Sequence, residues 1–145
     1  MMRRVSVIVL GLALAGSLFT SAGRAQGTFK VIVNAKVVGQ TVERDVLAQI
    51  YLGKVERWGN GSSIRAVDLS STSAVRQVFS NDILGMPIEA VKLHWLRLVA
   101  TGKRPPVARP SDEDVIAVVA AEPGGVGYVS SETAVPATVR EITVK

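Results

Sequence analysis

The most regular hydrophobic spacing in the chain runs through residues 41–52. Val42, Val46, Leu47, Ile50 and Tyr51 line one side of a predicted helix there. Thr41 is placed as its N-cap, Glu43 and Asp45 fall in its first turns, and Gly53 follows as a left-handed stop. A second helix is predicted over 87–101, with Pro87 in its first turn and an inner stripe of Ile88, Val91, Trp95, Leu98 and Val99. A third covers 111–121 around Val115, Val118 and Val119, and Ser111 with Asp114 approximates a capping box. Val75, Val78, Phe79 and Ile83 mark the apolar face of a fourth.

Between these lie β-branched runs. Residues 28–38 read as a strand, most clearly over 29–33, and 64–67 as a short one. Val126 to Val129 form another, in which Gly127 implies a close backbone approach. Residues 138–144 alternate in the manner of a last strand, and 102–110 read as a basic, proline-stiffened loop. The order β–α–β–α–α–α–β–β predicts an α/β fold, with helices packed on a small, partly parallel sheet.

The first residues carry a different pattern. Arg3 and Arg4 precede an almost wholly apolar run from Val5 to Phe19, and Gly23 and Ala25 stand at a small-residue cleavage spacing. That is the form of a secretory signal peptide over 1–25, leaving 26–145 as a single domain. The apolar run is shorter than the ~20 residues a membrane span requires. The expected address is the periplasm or the outside of the cell. Removing the leader changes the charge. The chain has 17 Lys+Arg and 12 Asp+Glu; Arg3, Arg4 and Arg24 leave with the leader, so 14 stand against 12, a net of +2. No basic stripe interleaved with aromatics remains, so no nucleic-acid partner is expected.

The chain has no cysteine and one histidine. Thiol nucleophiles, disulfides, zinc–thiolate sites and an N-terminal lipid anchor are therefore excluded, as is any two-histidine metal site. His94 lies on the margin of the 87–101 stripe and reads as structural unless a carboxylate or hydroxyl stands beside it. No Ser–His–Asp spacing, no glycine-rich phosphate loop with lysine and no framed carboxylate pair is present. Neither an enzyme nor a cofactor is expected. Asp112, Glu113 and Asp114 are explained by the dipole of the helix they open. Trp58 reads as cover for the edge of the core, with ligand stacking as the alternative.

The candidate chemistry lies between the 64–67 strand and the helix after it. Ser70, Ser71, Thr72 and Ser73 form a hydroxyl run, bracketed by Arg65 and Arg76. Amide hydrogens at a helix start lack intrahelical partners and carry partial positive charge, so the stretch is either an oxyanion cradle or simply an N-cap in a loop.

Three segments resemble one known family. LAQIYLGKVERW, from Leu47 to Trp58, resembles the helix and F/Y-L-G-K-x-x-x-W segment of phosphate-type substrate-binding proteins of ABC transporters. SAVRQVF, from Ser73 to Phe79, is similar to their S-G-T-R-x-x-F, and PGGVGYV, from Pro123 to Val129, to their P-G-A-I-G-Y-V. The resemblance implies about one lobe of a type II periplasmic binding protein fold. It also implies a phosphate or similar oxyanion as ligand at Ser70, Ser71, Thr72 and Ser73, with Arg65 or Arg76 in support, and an ABC permease or other envelope protein as partner. Ala74 replaces the motif's glycine, Val75 its threonine, and Leu69 the arginine expected four residues before the serine, so the binding implied is weak. A second copy of the chain supplying the missing lobe, or an interaction module that kept the lobe and lost the ligand, are the alternatives.

Overall fold

The computed structural model describes residues 29–145; the leader predicted over 1–25 lies outside the described residues. Five strands form one sheet in the order β4-β3-β5-β1-β6. These are β1 (Phe29–Asn34), β3 (Arg65–Leu69), β4 (Val107–Arg109), β5 (Gly125–Ser130) and β6 (Val139–Glu141). β3 runs parallel to both β4 and β5, whereas β1 is antiparallel to β5 and β6, so the sheet is partly parallel as the element order predicts. The helices are α1 (Arg44–Tyr51), α2 (Ala74–Phe79), α3 (Ile88–Val99) and α4 (Asp112–Ala121). A small second sheet pairs β2 (Thr41–Val42) in parallel with β7 (Thr143–Val144).

The best-read elements are those with complete local signals. α1 ends in a Schellman turn: the Lys54 amide donates to the Gln49 carbonyl at 2.8 Å, the Gly53 amide to Ile50 at 3.2 Å, and Gly53 has φ +74°. A methyl group on Gly53 would also stand 2.6 Å from the Trp95 ring. In α4, Ser111 Oγ accepts the Asp114 amide hydrogen at 3.2 Å and donates to the Asp114 carboxylate at 2.8 Å. Gly127 lets β5 lie directly under α4, since a Cβ there would come within 2.7 Å of Val115.

Elsewhere tertiary pairing overrides the local reading. Thr41 is not an N-cap: it enters β2, and the Lys145 carbonyl takes the Arg44 amide at 2.7 Å, which leaves Glu43 as a cap without a side-chain bond. The expected 138–144 strand splits at Ile142 into β6 and β7, which belong to different sheets. β1 ends early because the Asn34 side chain accepts the Lys36 amide and donates to the carbonyls of Val119 and Ala120. The supposed 102–110 loop contains β4, held as an edge strand by β3. α2 passes directly into a π-helical turn, Ser80–Leu84, and Pro87 caps α3 from outside its first turn. Val99, expected inside, is 51% exposed.

The core centres on Phe29, Tyr51, Phe79 and Tyr128. Phe79 and Tyr128 stack with centroids 3.7 Å apart, and Tyr51 and Phe29 meet that pair edge-on. Tyr51 donates its hydroxyl to the Val67 carbonyl at 2.9 Å, which satisfies the polar end of a fully buried ring.

Gly53→Ala should destabilise the protein in urea unfolding by more than the ~1–2 kcal/mol that a left-handed backbone costs an alanine, because Trp95 must also move. Gly61→Ala, at φ +87° with open space around it, should cost only the backbone penalty. Equal losses at the two positions would show that the Trp95 approach is not tight.

Candidate functional site

β3 delivers the chain to the hydroxyl run, and the turn into α2 is closed by its own backbone and side chains. The Ser70 amide donates to the Arg109 carbonyl at 2.9 Å, and the Ser73 amide to the Ser70 carbonyl at 2.9 Å. Ser73 has extended backbone angles and its Oγ accepts the Arg76 amide hydrogen at 3.3 Å, so it is the N-cap of α2. Ser70 and Thr72 share a hydroxyl–hydroxyl bond at 3.1 Å. Ser71 and Thr72 are exposed. The amides of Ala74 and Val75, at the first two helical positions, have no intrahelical partner. The structure therefore brings Ser70, Ser71, Thr72 and Ser73 together around a helix start.

It does not bring Arg65 there, and Arg76, which lines one cleft with Ser71, is turned to a different partner. Arg65 opens β3, whereas the hydroxyl run follows its far end; four residues of strand at ~3.3 Å each separate them. Its side chain is 65% exposed and sits 3.8 Å from Glu122. Arg76 points inward. Its guanidinium stands 2.5 Å from the Asp68 carboxylate and donates to the Leu69 carbonyl at 2.8 Å. Asp68 also accepts the Tyr128 hydroxyl and, at 2.9 Å, the Leu69 amide. Asp68, Arg76 and Tyr128 are all buried.

Sequence reasoning missed Asp68 and Tyr128. The available signal was a single carboxylate inside the otherwise apolar end of a strand, which needs a buried partner. Burial pushes the Asp68 carboxyl above its ordinary range, against the pull of Arg76, the Tyr128 hydroxyl and the Leu69 amide. Burial likewise raises the Tyr128 phenol, and the neighbouring Asp68 charge adds to the shift.

The remaining candidates have structural partners. His94 Nε2 lies 2.8 Å from the Leu52 carbonyl and ties α3 to the end of α1. Trp58 is half-buried against the edge of the core, as expected, and donates its indole hydrogen to the Gly124 carbonyl at 3.0 Å. Lys103 Nζ reaches the Gly53 carbonyl at 2.5 Å and Glu56 at 3.3 Å. Among the described residues there is no group of three or more metal-ligating side chains, and no helix is long and apolar enough to cross a membrane.

This geometry has relatives among solved structures. An ABC-type phosphate transport receptor from Vibrio cholerae superposes with TM-score 0.63 at 19% identity, covering 81% of this chain and 46% of that one. A protein described as a phosphate ABC transporter substrate-binding protein, with phosphate bound, from Clostridium perfringens gives 0.64 at 17%, covering 81% and 44%. PstS from Borrelia burgdorferi gives 0.63 at 13%, covering 81% and 47%. No protein-family model and no curated protein matches the sequence. The chain thus has the mixed α/β fold of one lobe of a periplasmic binding protein and spans about half the length of the receptors it matches. The relatives are transport receptors rather than enzymes.

The raised carboxyl of Asp68 gives a pH signature of defined sign. A group that holds its proton to higher pH in the folded than in the unfolded state contributes stability that is complete below the unfolded value of ~3.9 and is lost as pH rises through the folded value. Urea unfolding of wild type and Asp68→Asn between pH 4 and 7 should show wild type losing ground to the variant as pH rises. A difference that stays constant, or grows in wild type's favour, would contradict the shift.

Proposed function

We propose that the chain is an exported, solute-binding-like protein that takes phosphate or a similar oxyanion weakly at the turn of Ser70, Ser71, Thr72 and Ser73. The observation that carries this reading is that the turn presents exposed hydroxyls beside the two α2 amides, Ala74 and Val75, that lack helical partners. The fold of the phosphate receptors supports it. Export is supported by the signal-peptide pattern of 1–25.

Weakness follows from the same geometry. Hydrogen bonds to a charged acceptor contribute about 1.5–3 kcal/mol each. Two of them, from the Ala74 and Val75 amides, reach the ~4 kcal/mol of a millimolar complex. Arg76 adds little because its charge is already matched by Asp68, and Arg65 adds nothing at the far end of β3. A single lobe also leaves one side of the ion in water, and an ABC permease, another envelope protein or a second copy of the chain would be what covers it.

A second reading has its own support: an interaction module that kept the lobe and lost the ligand. The inward Arg76 favours it, as do Leu93, Leu96 and Val99, which α3 leaves exposed.

Amide chemical shifts and isothermal titration of the purified protein with phosphate separate the two. The first reading predicts saturable shifts at Ala74 and Val75 with a Kd of about 1 mM, weakened several-fold by Ser71→Ala combined with Thr72→Ala. Unmoved amides and no heat at millimolar phosphate, in a folded protein, would leave the module.

A further inference from the structure

Two clefts lie along the edge strand β4, and one of them reaches Ser71 of the hydroxyl turn. One, of about 480 Å³, is lined by residues from α1, the loop after it, the start of β3 and the 102–107 segment. The other, of about 380 Å³, lies between α3 and β4. Both are lined by Trp95, Pro105 and Pro106, so they adjoin at those residues, and together they form a groove.

The two ends of this groove differ in chemistry. The larger cleft is lined by Arg57, Arg65, Lys103 and Arg104 against one carboxylate, Glu56, a net of +3. Residues 26–28 are uncharged, so the described chain carries the same +2 as the chain without its leader. The rest of the described surface is therefore net −1, and the positive charge of the domain is concentrated in one place. Lys103 is held by the Gly53 carbonyl and Glu56, whereas the partners of Arg57 and Arg65 are exposed and weak. Arg65 stands 3.8 Å from Glu122, and Arg57 donates only to the Gly61 carbonyl. At the other end the wall is mostly apolar: Trp95, Leu96, Val99 and Ala108 line it beside Lys92, Ser71 and the mutually paired Asp68 and Arg76, and Leu96 is 69% exposed. Between the ends runs an unpaired strand edge. The Arg109 carbonyl faces β3, where it accepts from Ser70, so in this parallel ladder the Ala108 N–H and C=O point away from the sheet.

We propose that this groove receives an extended, acidic segment of a partner protein. Its carboxylates meet Arg57, Arg65 and Arg104, its backbone adds to the β4 edge at Ala108, and its apolar side chains lie on Trp95, Leu96 and Val99. Edge addition gives such a segment its main-chain hydrogen bonds, and the pockets on either side select its side chains. The concave shape fits a strand-like occupant rather than a flat bilayer, and the polarity of the groove asks for a chain that is acidic at one end and apolar at the other. The groove adjoins the hydroxyl turn at Ser71, but the contacts proposed here do not depend on an oxyanion being bound there.

The test is fluorescence anisotropy with a labelled ten-residue peptide, Asp and Glu in its first half and valines in its second, added to the full protein. Binding should weaken several-fold when salt is raised to about 0.3 M, because exposed charge contacts are screened. Arg57→Glu with Arg104→Glu should weaken it at least tenfold, and Leu96→Asp several-fold, with unchanged circular dichroism in each case. A peptide with lysines in place of the acids should not bind. Equal binding by the lysine peptide, or by the charge-reversed protein, would overturn the proposal. So would association with phosphatidylglycerol vesicles in the absence of any peptide binding.

Discussion

The contact among Asp68, Arg76 and Tyr128 decides how this lobe is put together. The carboxylate stands at the end of β3, the guanidinium comes from α2, which follows it, and the phenol from the distant β5, so three elements meet at one buried charge. A buried carboxylate is tolerated only when its lone pairs are met, and here Arg76, the Tyr128 hydroxyl and the Leu69 amide meet them. Arg76 also takes the Leu69 carbonyl, the last of β3, and so fixes the chain reversal that follows. Tyr128 is held over Phe79 in the same core, which couples this polar cluster to the aromatic stack. The consequence for function is direct. The charge that could have served an anion is used to orient α2, and what remains outward is hydroxyls and amides.

Much of the architecture was legible because the signals were local and agreed with one another. The apolar stripe and Gly53 specify α1, Ser111 and Asp114 specify the start of α4, and Gly127 announces the close packing of β5 beneath it. What could not be read is structure made by pairing. β2, β4 and β7 are two or three residues long and exist because a distant strand accepts their hydrogen bonds. Thr41 looks like a cap in sequence and becomes a strand residue only because residues 143–145 return to it. The site divides in the same way. That one hydroxyl of the run caps the helix is a local relation and was visible, though not that the cap is Ser73. The distance of Arg65 from the turn depends on how far β3 extends, and the inward course of Arg76 depends on a carboxylate whose partners lie eight and sixty residues away.

The half-length match to the phosphate receptors gives these details their sense. This chain has the fold of one lobe, and its turn at Ser70, Ser71, Thr72 and Ser73 presents hydroxyls and amides while Arg76 is turned inward to Asp68. The groove along β4 is a second surface with the opposite character, charged, open and bordered by exposed leucine and valine.

The central claim is that Arg76 belongs to the fold through Asp68 rather than to a ligand. A double-mutant cycle of Asp68→Asn and Arg76→Met, read by urea unfolding at pH 7, tests it most directly. Removing one partner of a buried pair costs about 3–5 kcal/mol, and the account predicts that the double variant loses much less than the two single losses combined, with a coupling above ~1.5 kcal/mol. Losses that add to within ~0.5 kcal/mol would contradict it.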